Sequence, residues 1–180
     1  TDQLNSADPQ PFEVAAAIKW LDINSAPGSD KMPARVYTEG GPAIITVLCE
    51  LFKNCFRHGR NALHWNQALV RMLHKRKAKN LADNYRGISL LDIQGKIYEK
   101  VLENRFRAIQ HKLTPDLRIP AEHFGFKTNH SVEDAVFCLT EGIKHNLNEG
   151  KKVLLLSLDI KKAYPSMPRS RMIRELKRMG

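Results

Sequence analysis

The stretch KVLLLSLDIKKAYPSM, Lys152 to Met167, decides how the rest of the chain reads. Val153 to Leu156 are apolar without alternation, Leu158 and Ile160 flank Asp159, and a Glu149-Gly150 turn leads in through Lys151 and Lys152. Such a run predicts a strand buried on both faces, although a short apolar run also fits a buried helix segment. A carboxylate in those surroundings needs a cation, a hydrogen-bond donor or water to offset its desolvation. The sequence therefore predicts a partner for Asp159.

The 180 residues suffice for one large domain or two small lobes, and 42% hydrophobic content is enough for a core. A formal net charge of +10 and a pI near 9.7 point to a polyanionic partner. Nucleic acid leads and an anionic membrane surface trails, because the Lys and Arg are spread over several elements instead of one tail. Cys49, Cys55 and Cys138 are odd in number and lack paired ligand spacing, which argues against a disulfide framework or a zinc site and for a reducing, intracellular setting. No apolar stretch approaches the roughly 20 residues that span a bilayer, and no signal-peptide pattern opens the chain, so no membrane partner is expected. A first residue other than Met, and an end at Gly180 directly after a predicted helix, read as a piece of something longer.

From Pro11, the spacing of Val14, Ile18 and Leu21 predicts a short amphipathic helix. Ser25 to Pro33 is a loop in which Gly28 is available for a positive φ. Ile44, Ile45, Leu48, Leu51, Phe52, Cys55 and Phe56 form one apolar stripe of a helix from about Pro42 to Arg57, with Cys55 buried. After Trp65 the period changes, and Ala68 to Leu73 read as a strand ending in the basic run HKRKAK. Tyr85 to Leu91 returns as a second extended piece, giving an antiparallel hairpin with a cationic tip. Ile93 to Leu113 follow as a long helix, stopped by Thr114-Pro115, with Lys96, Lys100, Arg105 and Arg107 on its exposed side. Ser131 caps a further helix with Asp134 at the capping-box position, and Val132, Val136, Leu139, Ile143 and Leu147 supply its buried stripe. A last helix, opened by Ser166 and Pro168, is basic on one side.

Three segments in this order resemble the reverse transcriptases of non-LTR (LINE-type) retrotransposons: NYRGISLL (Asn84 to Leu91), HFGFKTNHS (His123 to Ser131) and SLDIKKAY (Ser157 to Tyr164). PFEVAAAIKWL, APGSDKMP and Trp65 resemble the region that precedes the fingers in these enzymes. The fold this implies is α+β, a partial right-hand polymerase that is mostly helical with a fingers β-hairpin and the first palm strand. Residues 1–66 would be an N-terminal helical extension, 67–150 the fingers and 151–180 the start of the palm.

The resemblance implies RNA-directed DNA polymerase chemistry on an RNA template and a DNA primer with deoxynucleoside triphosphates. The setting it implies is a cytoplasmic ribonucleoprotein and the nucleus. Asp159 aligns with the first catalytic aspartate, a ligand of two divalent cations, Mg²⁺ or Mn²⁺, that activate the primer hydroxyl and stabilise the in-line transition state. Without the family, a lone Asp ending a strand is more often a turn or cap residue. Tyr164 aligns with the aromatic gate that excludes a ribose 2′-hydroxyl, with small Ala163 beside it, and otherwise reads as an aromatic anchor. Arg86 and Lys75 align with the pair that grips the incoming triphosphate. Arg76 and Lys77 are expected on the nucleic-acid backbone, although such a basic run also fits a solvated turn. Phe124, Gly125, Phe126 and Lys127 resemble the segment lining the template path, with Lys127 where arginine is usual. Packing alone also explains both Phe residues.

The chain departs from the family in two places. Pro165 stands where an aspartate usually follows the gate, and it pushes Tyr164 toward an extended backbone. The second acidic motif, two adjacent aspartates after an aromatic, does not occur before Gly180, so this chain alone is not expected to polymerise. Two rival readings stand beside the enzyme: a non-catalytic nucleic-acid-binding remnant of a decayed element, and a helical interaction module whose charge serves solubility.

Overall fold

The computed structural model describes residues 7–75, 78–113, 118–160 and 163–179. These residues are mostly helical, with one two-stranded antiparallel sheet, and the chain divides into two compact units that part after Ile109. Among the described residues no helix is long and apolar enough to cross a membrane.

The first unit holds α1 (Pro11–Lys19), α2 (Ala34–Glu39), α3 (Gly41–His58), β1 (Leu69–His74), β2 (Tyr85–Leu90) and α4 (Ile93–Ile109). Proline opens α1, where a missing N–H costs nothing, and the Glu13 carboxylate accepts from the Gln10 N–H at 2.8 Å. The apolar face of α1, Val14, Ala17 and Ile18, packs against α3 and α4. Leu48, Cys49, Phe52 and Cys55 come in from α3, and Ile93, Ile97, Tyr98 and Val101 from α4. Ile44, Ile45 and Leu51 of the expected stripe lie at its edge, half-buried. The rings of Phe52, Trp65 and Tyr98 meet mutually, with centroids 5.1 to 6.0 Å apart. Gly59 ends α3 at φ 59°, and the Arg60 N–H reaches back to the Cys55 carbonyl at 3.1 Å, which is the left-handed stop that glycine allows.

Four expectations change in this unit. Helix α2 is additional to the sequence reading, since six residues are too few to show a period. Arg105 is not on the exposed side of α4: its guanidinium grips both oxygens of Glu13 at 2.6 Å and donates to the carbonyls of Ala7 at 2.8 Å and Asp8 at 3.2 Å. With Arg57 bonded to Asp8, and the Cys49 thiol donating to the Pro9 carbonyl at 3.2 Å, residues 7–9 are fixed despite having no sequence pattern. Helix α4 gives way after Ile109 to a single 3₁₀ turn, Gln110–Lys112, short of the expected Leu113, and Thr114-Pro115 lie outside the described residues. Gly28 has no positive φ; it is glycine because the backbone of Leu91 and Asp92 passes against it, where a Cβ would stand 2.4 Å from the Asp92 nitrogen.

The second unit contains α5 (Val132–Asn148), the single turn α6 (Ala163–Ser166) and α7 (Arg169–Arg178). Ser131 and Asp134 form the capping box: the Asp134 N–H donates to the Ser131 hydroxyl oxygen at 3.2 Å and the Ser131 N–H to the Asp134 carboxylate at 2.7 Å. The apolar stripe of α5 is not buried; Val132, Val136, Leu139 and Leu147 are exposed. Residues 151–160 form no strand, and the run is exposed, with Leu154 at 95% and Leu158 at 82%. A strand is defined by its ladder, and no second strand pairs with this segment among the described residues. The segment expected to be the buried first palm strand is thus exposed and without regular secondary structure.

Candidate nucleotide and nucleic-acid site

The hairpin is what positions the first pair of candidate residues. Its register sets Leu69 opposite Leu90, Arg71 opposite Ile88, Leu73 opposite Arg86 and His74 opposite Tyr85. The Lys75 N–H donates to the Asn84 carbonyl at 2.7 Å and extends the pairing by one residue. Side chains alternate along a strand and opposed residues share a face. Lys75 and Arg86 therefore belong to one face, together with Arg71, Leu73 and Ile88. The other face carries Val70, Met72, His74 and Tyr85, and Gly87 leaves room there for Val70, whose Cγ1 would lie 3.2 Å from an added Cβ.

The tip is tied down by the two residues that precede Arg86. Asn84, buried at 9% exposure, donates through its amide to the Ala78 carbonyl at 2.7 Å. The Tyr85 hydroxyl donates to the Lys79 carbonyl at 3.0 Å, and its ring stands 5.1 Å from that of His74. Arg76 and Lys77, the expected backbone contacts, lie outside the described residues.

The base of the hairpin is clasped by the Pro/Gly/Ser-rich loop. Asp92, at 2% exposure, accepts on Oδ1 from the Ser29 hydroxyl and from the Asp30 N–H, each at 3.3 Å, while its carbonyl accepts the first helical bond of α4 from Lys96. Burial, reinforced by the charges of Asp30 and Asp92, raises the nearby Tyr37 phenol above the ordinary tyrosine range. Two loops far apart in sequence are thereby locked where β2 passes into α4.

The remaining candidates lie in the second unit. Phe124 is half-buried, its ring 5.7 Å from that of His130, whereas Phe126 is 88% exposed and has φ 58°. Core packing thus does not account for Phe126, and a left-handed backbone at a bulky residue is uncommon. Gly125 is exposed with open space where a Cβ would be, and Lys127 is half-buried.

Asp159 is exposed and makes no hydrogen bond or ion pair among the described residues. The premise of burial fails: among the described residues the carboxylate is exposed and has no partner. Ala163 and Tyr164 sit in α6, exposed, and the Met167 N–H donates to the Tyr164 carbonyl at 3.3 Å. Pro165 does not hold Tyr164 extended, since the first turn of a helix has no bond to lose from a missing N–H.

A carboxylate oxygen is the right donor for Mg²⁺ or Mn²⁺, yet among the described residues no group of three or more His, Cys, Asp or Glu stands close enough to hold a metal ion. Asp159 offers one ligand and the described residues do not complete a two-metal centre.

Residues 73–180, more than half of the chain, match the model of the family described as reverse transcriptase (RNA-dependent DNA polymerase). The chain belongs to the reverse transcriptase family. It is 26% identical over 93% of its length to the probable RNA-directed DNA polymerase from transposon BS of Drosophila melanogaster, covering 18% of that protein. The RNA-directed DNA polymerase from mobile element jockey of the same fly is 26% identical over 84% of the chain, with 16% of its own length covered. A putative 115 kDa protein of a type-1 retrotransposable element, also from Drosophila melanogaster, is 32% identical over 69% of the chain, with 12% of its own length covered. The chain spans less than a fifth of the length of these relatives.

In this reverse transcriptase segment the family match takes in the tip of β1, the whole of β2 and the Asp159 segment. Asn84, Tyr85, Asp92 and Gly28 were missed as parts of the site. The first two stand in NYRGISLL directly before Arg86, where a buried amide in a turn is the available signal. Nothing local announces the pairing of Asp92 with a loop more than sixty residues away.

Proposed function

We propose that the chain supplies the nucleotide-gripping part of an RNA-directed DNA polymerase, with residues 1–66 as a helical extension, 67–150 as fingers and 151–180 as the start of the palm. Lys75 and Arg86 hold the triphosphate of the incoming deoxynucleotide, the ammonium as a point charge and the guanidinium as a planar fork. Arg76, Lys77 and the FGFK segment face the template-primer, and Tyr164 with Ala163 faces the sugar. Asp159 serves as one oxygen ligand for the divalent cations that nucleotidyl transfer by this family requires.

The observation that supports this reading best is the register that gives Lys75 and Arg86 a common face, beside a tip pinned by Asn84 and Tyr85. A fluorescent deoxynucleoside triphosphate titrated with Mg²⁺ and an RNA/DNA template-primer tests it. Loss of a charge-assisted contact costs about 1.5–3 kcal/mol, so R86A should weaken binding by roughly 10- to 150-fold. Equal affinity of R86A and wild type would remove the clamp from the account.

A further inference from the structure

We infer that the loop clasp at the base of the hairpin is a cation site: Asp30, Asp92 and Tyr37 supply oxygens to one hard divalent cation of the Mg²⁺ kind, separate from any ion that Asp159 serves. The inference goes beyond the proposed polymerase reading and does not depend on it.

The clasp holds more buried oxygen than its own donors satisfy. Asp92 is 2% exposed, and the donors to its Oδ1, the Ser29 hydroxyl and the Asp30 N–H, both stand at 3.3 Å, longer than the usual hydrogen-bond range. Asp30 uses its Oδ1 to accept from the Met32 N–H at 3.0 Å, while its Oδ2 is buried with no hydrogen-bond partner. Neither carboxylate forms an ion pair among the described residues. Tyr37 of α2, at 4% exposure, adds a third oxygen, since its buried hydroxyl also has no hydrogen-bond partner. The charges of both aspartates act on that phenol, which places its hydroxyl beside them.

Buried carboxylates persist when they are paired or coordinate a metal. A water molecule would satisfy Asp30 Oδ2 and the phenol but would bring no charge, whereas one divalent cation offsets both carboxylates. Oxygen donors alone select a hard ion over the metals that seek nitrogen or sulfur. One or two carboxylates, with water in the remaining positions, is the pattern of Mg²⁺, while Ca²⁺ takes about six to eight oxygen ligands. The phenol, held in its neutral form by burial, offers a lone pair. With only two acids, the site falls outside any group of three or more His, Cys, Asp or Glu. Ser29 is exposed and Asp30 half-buried, which gives the ion an entry from the loop side.

The test is urea unfolding of the full chain, followed by tryptophan fluorescence, across a MgCl₂ series with KCl at matched ionic strength as the control. The wild-type midpoint should keep rising with log[Mg²⁺] above the Kd and should not follow KCl. D30N keeps an oxygen for the Met32 N–H and removes one charge, so it should weaken Mg²⁺ binding by roughly 10-fold or more. Y37F should also reduce the response, and it supplies the answer should D30N fail to fold. In EDTA, Y37F should be no less stable than wild type, because the hydroxyl it removes has no partner. Tb³⁺ emission sensitised by the protein should fall in D30N and Y37F and persist in D159N. A wild-type midpoint indifferent to Mg²⁺, or a response equal to wild type in D30N and Y37F, overturns the inference. So does a Y37F variant less stable than wild type in EDTA, which would mean that a direct bond or an ordered water only satisfies the phenol.

Discussion

Gly28→Ala is a sharp test of how the hairpin is anchored. The added Cβ would lie 2.2 Å from Asp92 Oδ1, 2.4 Å from the Asp92 nitrogen and 2.6 Å from the Leu91 carbonyl carbon. The last two are backbone atoms and cannot rotate away. Forced overpacking costs about 1–3 kcal/mol, and separating the loop from Asp92 also gives up the bonds from Ser29 and Asp30, about 1 kcal/mol each. Reduced freedom of the unfolded chain returns less than about 1 kcal/mol. The net loss is about 3 kcal/mol, which lowers the urea midpoint by about 1.5 M for an m-value near 2 kcal/mol per M. Both tryptophans of the chain, Trp20 and Trp65, belong to the first unit, so intrinsic fluorescence follows its unfolding. The double variant G28A/D92A should be no more stable than G28A, because the backbone clashes remain. A G28A midpoint equal to wild type would refute the close approach and the clasp with it.

Two further outcomes concern stability. The Arg105 guanidinium hydrogen-bonded to Glu13 holds that carboxyl below the ordinary glutamate range although burial pushes it upward. Its contribution is therefore complete above the ordinary value near 4.3 and is lost as pH falls through the lower folded value. E13Q leaves Arg105 half-paired, and should cost about 3 kcal/mol at neutral pH and flatten acid unfolding monitored by tryptophan fluorescence. S131A removes the hydroxyl half of the α5 cap and should cost that helix about 1 kcal/mol, read as faster amide exchange in its first turn; unchanged exchange would count against the capping box.

Local chemistry shows in the sequence wherever a residue acts on near neighbours. Pro11 opening α1, Gly59 closing α3 and Ser131 capping α5 need only a few residues, and the change of period after Trp65 announces β1 because alternation is built into the strand itself. The hairpin followed, while its register, and so the common face of Lys75 and Arg86, came from the structure. Where a reading depended on what lies across from a segment, it failed. The apolar residues of α5 and of 153–160 are the right composition for burial but are mostly exposed, Ile143 being half-buried, and Asp159 is exposed with them. Arg105 reads as a surface cation by periodicity and is an internal anchor because Glu13 and the carbonyls of residues 7 and 8 happen to meet it.

The sequence by itself determined the family, through the order of NYRGISLL, HFGFKTNHS and SLDIKKAY, and most helix and strand positions, because these depend on residues close together in the chain. The tertiary structure alone decided why Gly28 is glycine, what holds Asp92 and Arg105, and which cations share a hairpin face with Arg86. Those facts are contacts between distant segments, and no local pattern encodes which distant backbone a residue will touch.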